Sequence, residues 1–169
     1  MVPGKNIKSA MGNNIKITIR KAKSEDAGAI SELHKRVVGE VNARHYPAEV
    51  IREWIQDISE ESVRYQFQNS DWIVVEDNGK LVGFWKYSVD DCEIYQINVG
   101  QNHTKQGIGR KLYEYMENEF ESGGAEKISL NSTLNAMEFY QRLGFKTIER
   151  TFIGSVEMIK MEKSLRGRQ

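Results

Sequence analysis

Only one cysteine, Cys92, occurs in the 169 residues, so neither an internal disulfide nor a cysteine-based metal cluster is available. No linker rich in proline or serine and no internal repeat divides the chain. Charge of neither sign predominates, with 24 Lys plus Arg against 24 Asp plus Glu. A balanced chain lacks the cation excess with which a general nucleic-acid binder neutralises phosphates. No apolar run approaches the ~20 residues of a membrane span, and the N-terminus lacks the apolar centre of a signal peptide. His34 and His45 have no metal-ligand spacing with a cysteine, and the acidic residues form no calcium or two-metal pattern. These absences point to a cytoplasmic chain with no metal, no nucleic-acid partner and no membrane partner.

What is present suits one domain. Hydrophobic residues make up 39% and charged residues 28%, ordinary for a globular chain with a sizeable core. Residues 1–13, rich in Gly, Asn and Lys, read as a disordered lead-in. Residues 14–163 read as the domain, and 164–169 as a basic tail. "NIKITIRKA" alternates Ile15, Ile17 and Ile19 with polar residues, the strand period. Ile30, Leu33 and Val37 follow at helical spacing, and Ile51, Trp54, Ile55 and Ile58 mark a second helix that Pro47 opens. A third helical stretch covers about 62–68. "DWIVVEDNGKLVGFWKYSV" is a β-hairpin turning at Asn78-Gly79. A strand from Glu93 to Val99 extends it. Ile108, Leu112, Met116 and Phe120 stripe a helix ending near Gly123-Gly124, and Ala136, Phe139, Tyr140 and Leu143 stripe another ending at Gly144. Strands "KISLNS", "FKTIER" and "SVEMIKMEK" complete a mixed α/β (α+β) sheet with helices on its faces.

The chemistry concentrates at "HTKQGIGRKLYEYMENEF", residues 103–120. Two glycines stand where a strand gives way to a helix. A helix N-terminus carries unpaired N–H groups and a partial positive charge, and glycine lets an anion approach them. Lys105, Arg110 and Lys111 add charge. A phosphate-bearing ligand fits; so does a tight turn that needs glycine for conformation alone. The dinucleotide fingerprint fails, because Leu112 occupies its third glycine position. The P-loop fails too, because Arg110 follows Gly109.

Residues farther along separate these readings. Thr104-Lys105-Gln106-Gly107-Ile108-Gly109, followed by "NSTLNAMEFYQRLGF", resembles the two landmarks of the GNAT superfamily of acetyl-coenzyme A-dependent N-acetyltransferases. "ITIRKAKSEDAGAISELH" is similar to the family's opening strand and helix. The likeness covers about residues 15–162. It departs at Thr104, where the family carries Gln or Arg, and at Gln101, where many relatives have proline. The resemblance implies a mostly antiparallel sheet of about seven strands, flanked by about four helices and splayed around the fourth strand. It also implies acetyl-CoA as co-substrate. Ile97, Asn98 and Val99 would meet the pantetheine arm. Thr104, Lys105, Gln106, Gly107, Ile108, Gly109 and Arg110 would wrap the pyrophosphate. Asn135, and more weakly Asn131, would hydrogen-bond the coenzyme, although such residues also cap helices well.

Acetyl transfer to an amine poses three demands. The amine must be neutral, although a lysine-like ammonium titrates near ~10.4; a carboxylate or a water it holds would take the proton. The thioester oxygen gains charge that a strand N–H without a ladder partner can meet, here that of Ile97 or Val99. The leaving thiolate benefits from a proton. On the residues alone Tyr140 reads as core packing; the resemblance makes it the general acid that supplies this proton. Glu93 is the candidate base, with a solvated strand-end acid as the other reading. His103 reads as an exposed neighbour of the phosphate site. Tyr46, Trp54, Trp85 and Tyr87 are candidates for an aromatic acceptor slot, although Trp54 also fits a core stripe. The expected acceptor is a small amine, with polyamines among the candidates. The alternatives are a protein N-terminus or lysine, and a coenzyme sensor without turnover. "SVEMIKMEK" offers a surface for a homodimer.

Overall fold

The computed structural model describes residues 5–8 and 16–166; Ile15 and Met11, with the other residues outside these ranges, lie beyond the description. One sheet of eight strands carries the fold, in the order β1-β2-β3-β4-β5-β6-β8-β7. The strands are β1 Lys5–Lys8, β2 Lys16–Lys21, β3 Asp71–Asp77, β4 Lys80–Ser88, β5 Glu93–Val99, β6 Lys127–Thr133, β7 Lys146–Ile153 and β8 Val156–Ser164. The helices are α1 Ala27–Glu40, α2 Ala48–Gln56, α3 Glu60–Gln66, α4 Ile108–Ser122 and α5 Met137–Arg142.

Three details depart from expectation. An eighth strand comes from the stretch read as a disordered lead-in, because residues 5–8 pair antiparallel with β2. The third of the five helices among the described residues runs from Glu60 to Gln66, two residues earlier than read, with Ser59 as cap; its Oγ accepts from the N–H of Ser62 at 3.0 Å. The supposed tail begins as structure: Ser164 ends β8, and the Leu165 amide donates to the Glu126 carbonyl at 2.8 Å.

Local chemistry explains the turns. Asn78 and Gly79 both take positive φ, 49° and 81°, as the β3–β4 turn requires. Apolar faces explain the layers. α4 packs Leu112, Met116 and Phe120 against Ile73, Trp85, Tyr87, Ile128 and Met161, all essentially buried. On the sheet's other side, Ile30, Leu33 and Val37 of α1 pack with Trp72, Val74 and Phe84. β4 is therefore covered on both faces. A third cluster joins Val38, Tyr46, Ile51 and Ile58 to Val156 and Met158 of β8. Between α4 and β8 a buried ionic cluster replaces apolar contact: the Lys163 ammonium lies 2.7 Å from Glu117 Oε1, which also accepts from the Tyr113 hydroxyl at 3.0 Å.

The sheet has one weak seam. β5 and β6 run parallel and share only two rungs, Glu93↔Ser129 and Ile94↔Leu130. β5 stays paired with β4 as far as Val99. Beyond Ile94, one edge of β5 thus has no ladder partner.

Candidate active site

A cavity of about 1010 Å³ opens at this seam. Its floor is β5 from Ile94 to Val99, and it runs from the N-terminus of α4, past α5, to the layer of α1, α2 and α3 and the β7–β8 turn.

The α4 end is built by two glycines with different tasks. Gly107 caps the helix in the left-handed region at φ 76°, and a Cβ built on it would meet nothing within 4 Å. It supplies a backbone shape that L side chains resist, beside open space. No side chain caps the helix, so its first amides are left for another partner. Gly109 is needed for packing: a Cβ there would lie 3.1 Å from Cζ of Phe139. Lys105 also takes positive φ, 61°. Thr104, Lys105, Gly107, Gly109 and Arg110 line the cavity. Gln106 and Ile108 do not. The Gln106 amide turns away to donate to the Asn102 carbonyl at 3.0 Å, and Ile108 is buried in the core as the first residue of the apolar stripe. The Thr104 hydroxyl donates to the Gln101 carbonyl at 2.9 Å, so it braces the loop.

In the middle, Ile97, Asn98 and Val99 line the opened seam, opposite Asn131, Asn135 and Tyr140. Asn135 Oδ1 accepts from the buried Asn42 Nδ2 at 3.1 Å, which fixes the amide and leaves its N–H groups for the cavity. Tyr140 is 6% exposed, and burial raises its phenol well above the ordinary value. Its hydroxyl has no hydrogen-bond partner among the described residues. It is not sealed off either, since Trp85 Nε1 is the one buried, unpartnered polar side-chain atom among them. The Tyr140 hydroxyl therefore faces the cavity, protonated at any ordinary pH.

Glu93 stands apart. It shares the rung with Ser129 at the closed end of the seam, and the cavity floor begins one residue later at Ile94. Burial raises its carboxyl, with Asp91 adding to the effect. A bulge in the β4–β5 pairing between Lys86 and Tyr87 leaves Tyr95 without a partner, so strict alternation from Glu93 to Val99 does not hold.

Of the expected acceptor aromatics only Trp54 lines the cavity. Trp85 and Tyr87 are fully buried beneath α4, because their face of β4 is a covered one. Tyr46 is buried as a tie: its hydroxyl donates to the Glu157 carbonyl at 2.7 Å and accepts from the Leu134 amide at 3.0 Å. His103 is also more than an exposed neighbour, since Nε2 lies 3.1 Å from Asp77 Oδ2 and pins the loop to the end of β3. The sequence reading missed His34, Gln66, Trp72 and Tyr95, which line the end of the cavity away from α4 with Glu53 and Asp57. Across this end Ser155 of the β7–β8 turn donates to Glu53 Oε2 at 2.7 Å. One signal for His34 was available: it is the polar member of the α1 apolar stripe, four residues after Ile30.

Residues 42–165 match the family described as the acetyltransferase (GNAT) domain. The chain is 29% identical over 98 residues to an uncharacterised N-acetyltransferase, YjcF, of Bacillus subtilis (strain 168), covering 56% of this chain and 70% of that protein. It is 32% identical over 82 residues to the [ribosomal protein bS18]-alanine N-acetyltransferase of Escherichia coli (strain K12), covering 44% of this chain and 55% of the relative, about half its length. Among solved structures, a GCN5-related N-acetyltransferase from Rhodopseudomonas palustris superposes with a TM-score of 0.80 at 21% identity, over 87% of this chain and 94% of that one. The PaiA N-acetyltransferase of Thermoplasma acidophilum, solved in complex with coenzyme A, gives 0.75 at 23% identity, over 88% and 98%.

Proposed function

The chain belongs to the GNAT family of N-acetyltransferases, and from that premise we propose that it moves the acetyl group of acetyl-CoA to a primary amine of a small molecule, both substrates being bound together. The observation that carries this reading is the split between β5 and β6 after two rungs, which leaves one edge of β5 facing Tyr140 across a cavity that reaches the uncapped start of α4.

The residues present fit the coenzyme. The amides at the start of α4, in open space beside Gly107 and flanked by Lys105 and Arg110, suit a diphosphate. The freed edge of β5 and the amide of Asn135 suit an amide-bearing arm. Acetyl-CoA would supply a thioester whose carbonyl carbon the amine attacks and whose C–S bond breaks. The chain's own residues do the rest. A strand N–H among Ile97 to Val99 meets the charge that gathers on the carbonyl oxygen. Tyr140 gives its proton to the departing sulfur, and the new amide releases one proton to water, through which Tyr140 is restored. Glu93, outside the cavity wall, would act only through water. The Ser155–Glu53 link across the acceptor end favours a small acceptor over an extended peptide.

Thiol release from acetyl-CoA, measured against monoamines, polyamines, amino acids and peptides, tests the reading. Tyr140→Phe should lower kcat by ~10²–10³ with the coenzyme Kd within twofold of wild type. Unchanged turnover would remove Tyr140 from the proton path. Coenzyme binding with no release for any acceptor would make the chain a sensor.

A further inference from the structure

The acceptor end contains a histidine with no task in the steps above. His34 is 8% exposed, and its ring is held edge-on by Phe84 at 5.7 Å and Trp54 at 6.4 Å between centroids. Neither ring nitrogen hydrogen-bonds to a described residue, yet neither is a sealed orphan, since Trp85 Nε1 alone is that. The nitrogens of His34 thus face the cavity its ring lines. A buried polar group normally finds a partner; here the partner position lies in the acceptor space.

The neighbouring charge has a definite sign. Lys86 of β4 holds its ammonium 2.7 Å from Gln66 Oε1, with the rings of Tyr95 and Trp72 at 5.0 and 5.7 Å. Gln66, Tyr95 and Trp72 all line the same end of the cavity, so an ammonium stands just behind its wall; burial lowers its pKa, with the Glu93 charge acting the other way. The other titratable groups there are the carboxylates of Glu53 on α2 and Asp57 just after it, the imidazole of His45 before it, and the phenol of Tyr95 from β5; α3 contributes the uncharged Ser62 and Gln66. Burial first, and the Lys86 charge second, hold His34 down to about 4, so it presents a neutral ring with a free lone pair.

We propose that His34 is an acceptor-binding residue whose ring nitrogen takes a hydrogen bond from the incoming amine, and that Lys86 behind the wall admits this amine in its neutral form. The inference rests on the acetyl-transfer reading of the same cavity. A cation nearby and an apolar surround both disfavour an ammonium. The amine would therefore arrive already able to attack, and the carboxylates of Glu53 and Asp57 at the same end of the cavity are not needed to take its proton. The same field disfavours a second ammonium, so the substrate class is a monoamine rather than a polyamine.

The ring resonances of His34, assigned by their loss in His34→Gln, report on this site directly. Butylamine and benzylamine would be titrated into the coenzyme A complex at pH 7 and pH 9.5, with spermidine in parallel. The His34 signals should shift saturably with both monoamines, and the apparent Kd should fall roughly three-hundredfold at the higher pH for an amine near ~10.4, following its neutral fraction. Lys86→Gln should shrink that pH ratio several-fold. His34 signals unmoved by either monoamine, an equal Kd at both pH values, an unchanged ratio in Lys86→Gln, or tighter binding of spermidine would overturn the inference. Thiol release on the same samples separates the two readings. Shifted His34 signals with no release from any amine would uphold the amine site and remove the transfer reading.

Discussion

A histidine kept neutral by burial carries a thermodynamic signature that can be read without any ligand. The unfolded chain's His34 takes a proton near 6.5, whereas the folded one does not until about 4. Between these values the unfolded state holds one proton more, so stability rises with pH through the window and falls as pH drops. The loss over the whole window is about 3 kcal/mol, at ~1.4 kcal/mol per pH unit. Asp26 acts elsewhere: the Arg20 guanidinium, 2.8 Å away, holds its carboxyl below the usual range, and that stabilisation is lost only as pH falls through the folded value, below 3.8. Chemical denaturation of wild type and His34→Gln at pH 7 and pH 5 should therefore show a shallower pH slope in the variant. Parallel slopes would mean that the ring titrates normally. The same residue shows why function was partly hidden in the sequence. A lone histidine on an apolar helical stripe is ambiguous until the opposite wall is known, and that wall is assembled from α2, α3, β3 and β5, up to about sixty residues along the chain.

At the level of elements, the strand-to-helix turn at Gly107 was legible because its constraint is local. A left-handed cap and a close approach each demand glycine, and both leave a mark in sequence. What the sequence did not distinguish was their separate causes. Gly107→Ala meets open space and must hold an unfavourable φ, which costs about 1 kcal/mol. Its methyl also enters the space the diphosphate would use, so the coenzyme Kd measured by calorimetry should rise tenfold or more. Gly109→Ala instead drives a Cβ against Phe139 at 3.1 Å, and overpacking of that kind costs about 1–3 kcal/mol. That variant should lose more in Tm, with a smaller change in Kd for its degree of folding. A Gly107→Ala protein that binds the coenzyme normally would move the anion site away from the start of α4. Trp85 and Tyr87 illustrate the opposite case. Period-two alternation places them on one face of β4, but does not say which helix layer covers that face. Bulges at Val75/Glu76 and Lys86/Tyr87 shift the parity further. The order of the last strands was not legible either: β8 lies between β6 and β7, so β7 is the edge strand.

Across the whole molecule, the sheet is two halves joined at a two-rung seam, and the features that open a cavity there also weaken the join. Continuity comes from elsewhere. α4 packs against both halves, and the cluster of Val38, Tyr46, Ile51 and Ile58 grips Val156 and Met158 on the far side. The Tyr46 hydroxyl is the polar clasp of that cluster, satisfying the Leu134 amide and the Glu157 carbonyl together. Tyr46→Phe keeps the ring and deprives both groups, at a cost of about 1–3 kcal/mol. For a chain of this length that is a Tm loss of roughly 3–10 °C. A ligand lying across the seam binds the folded state alone and adds about 2.7 kcal/mol at a hundredfold excess over its Kd. Scanning calorimetry of wild type and Tyr46→Phe, each with and without coenzyme A, should show a lower starting Tm in the variant and an upward shift with ligand in both. Because Tyr46 is a tie and not part of the acceptor wall, the variant's KM for any amine should stay within about twofold of wild type at temperatures where both are folded. A large rise in KM with an unchanged Tm would reverse the assignment and return Tyr46 to the acceptor side of the cavity.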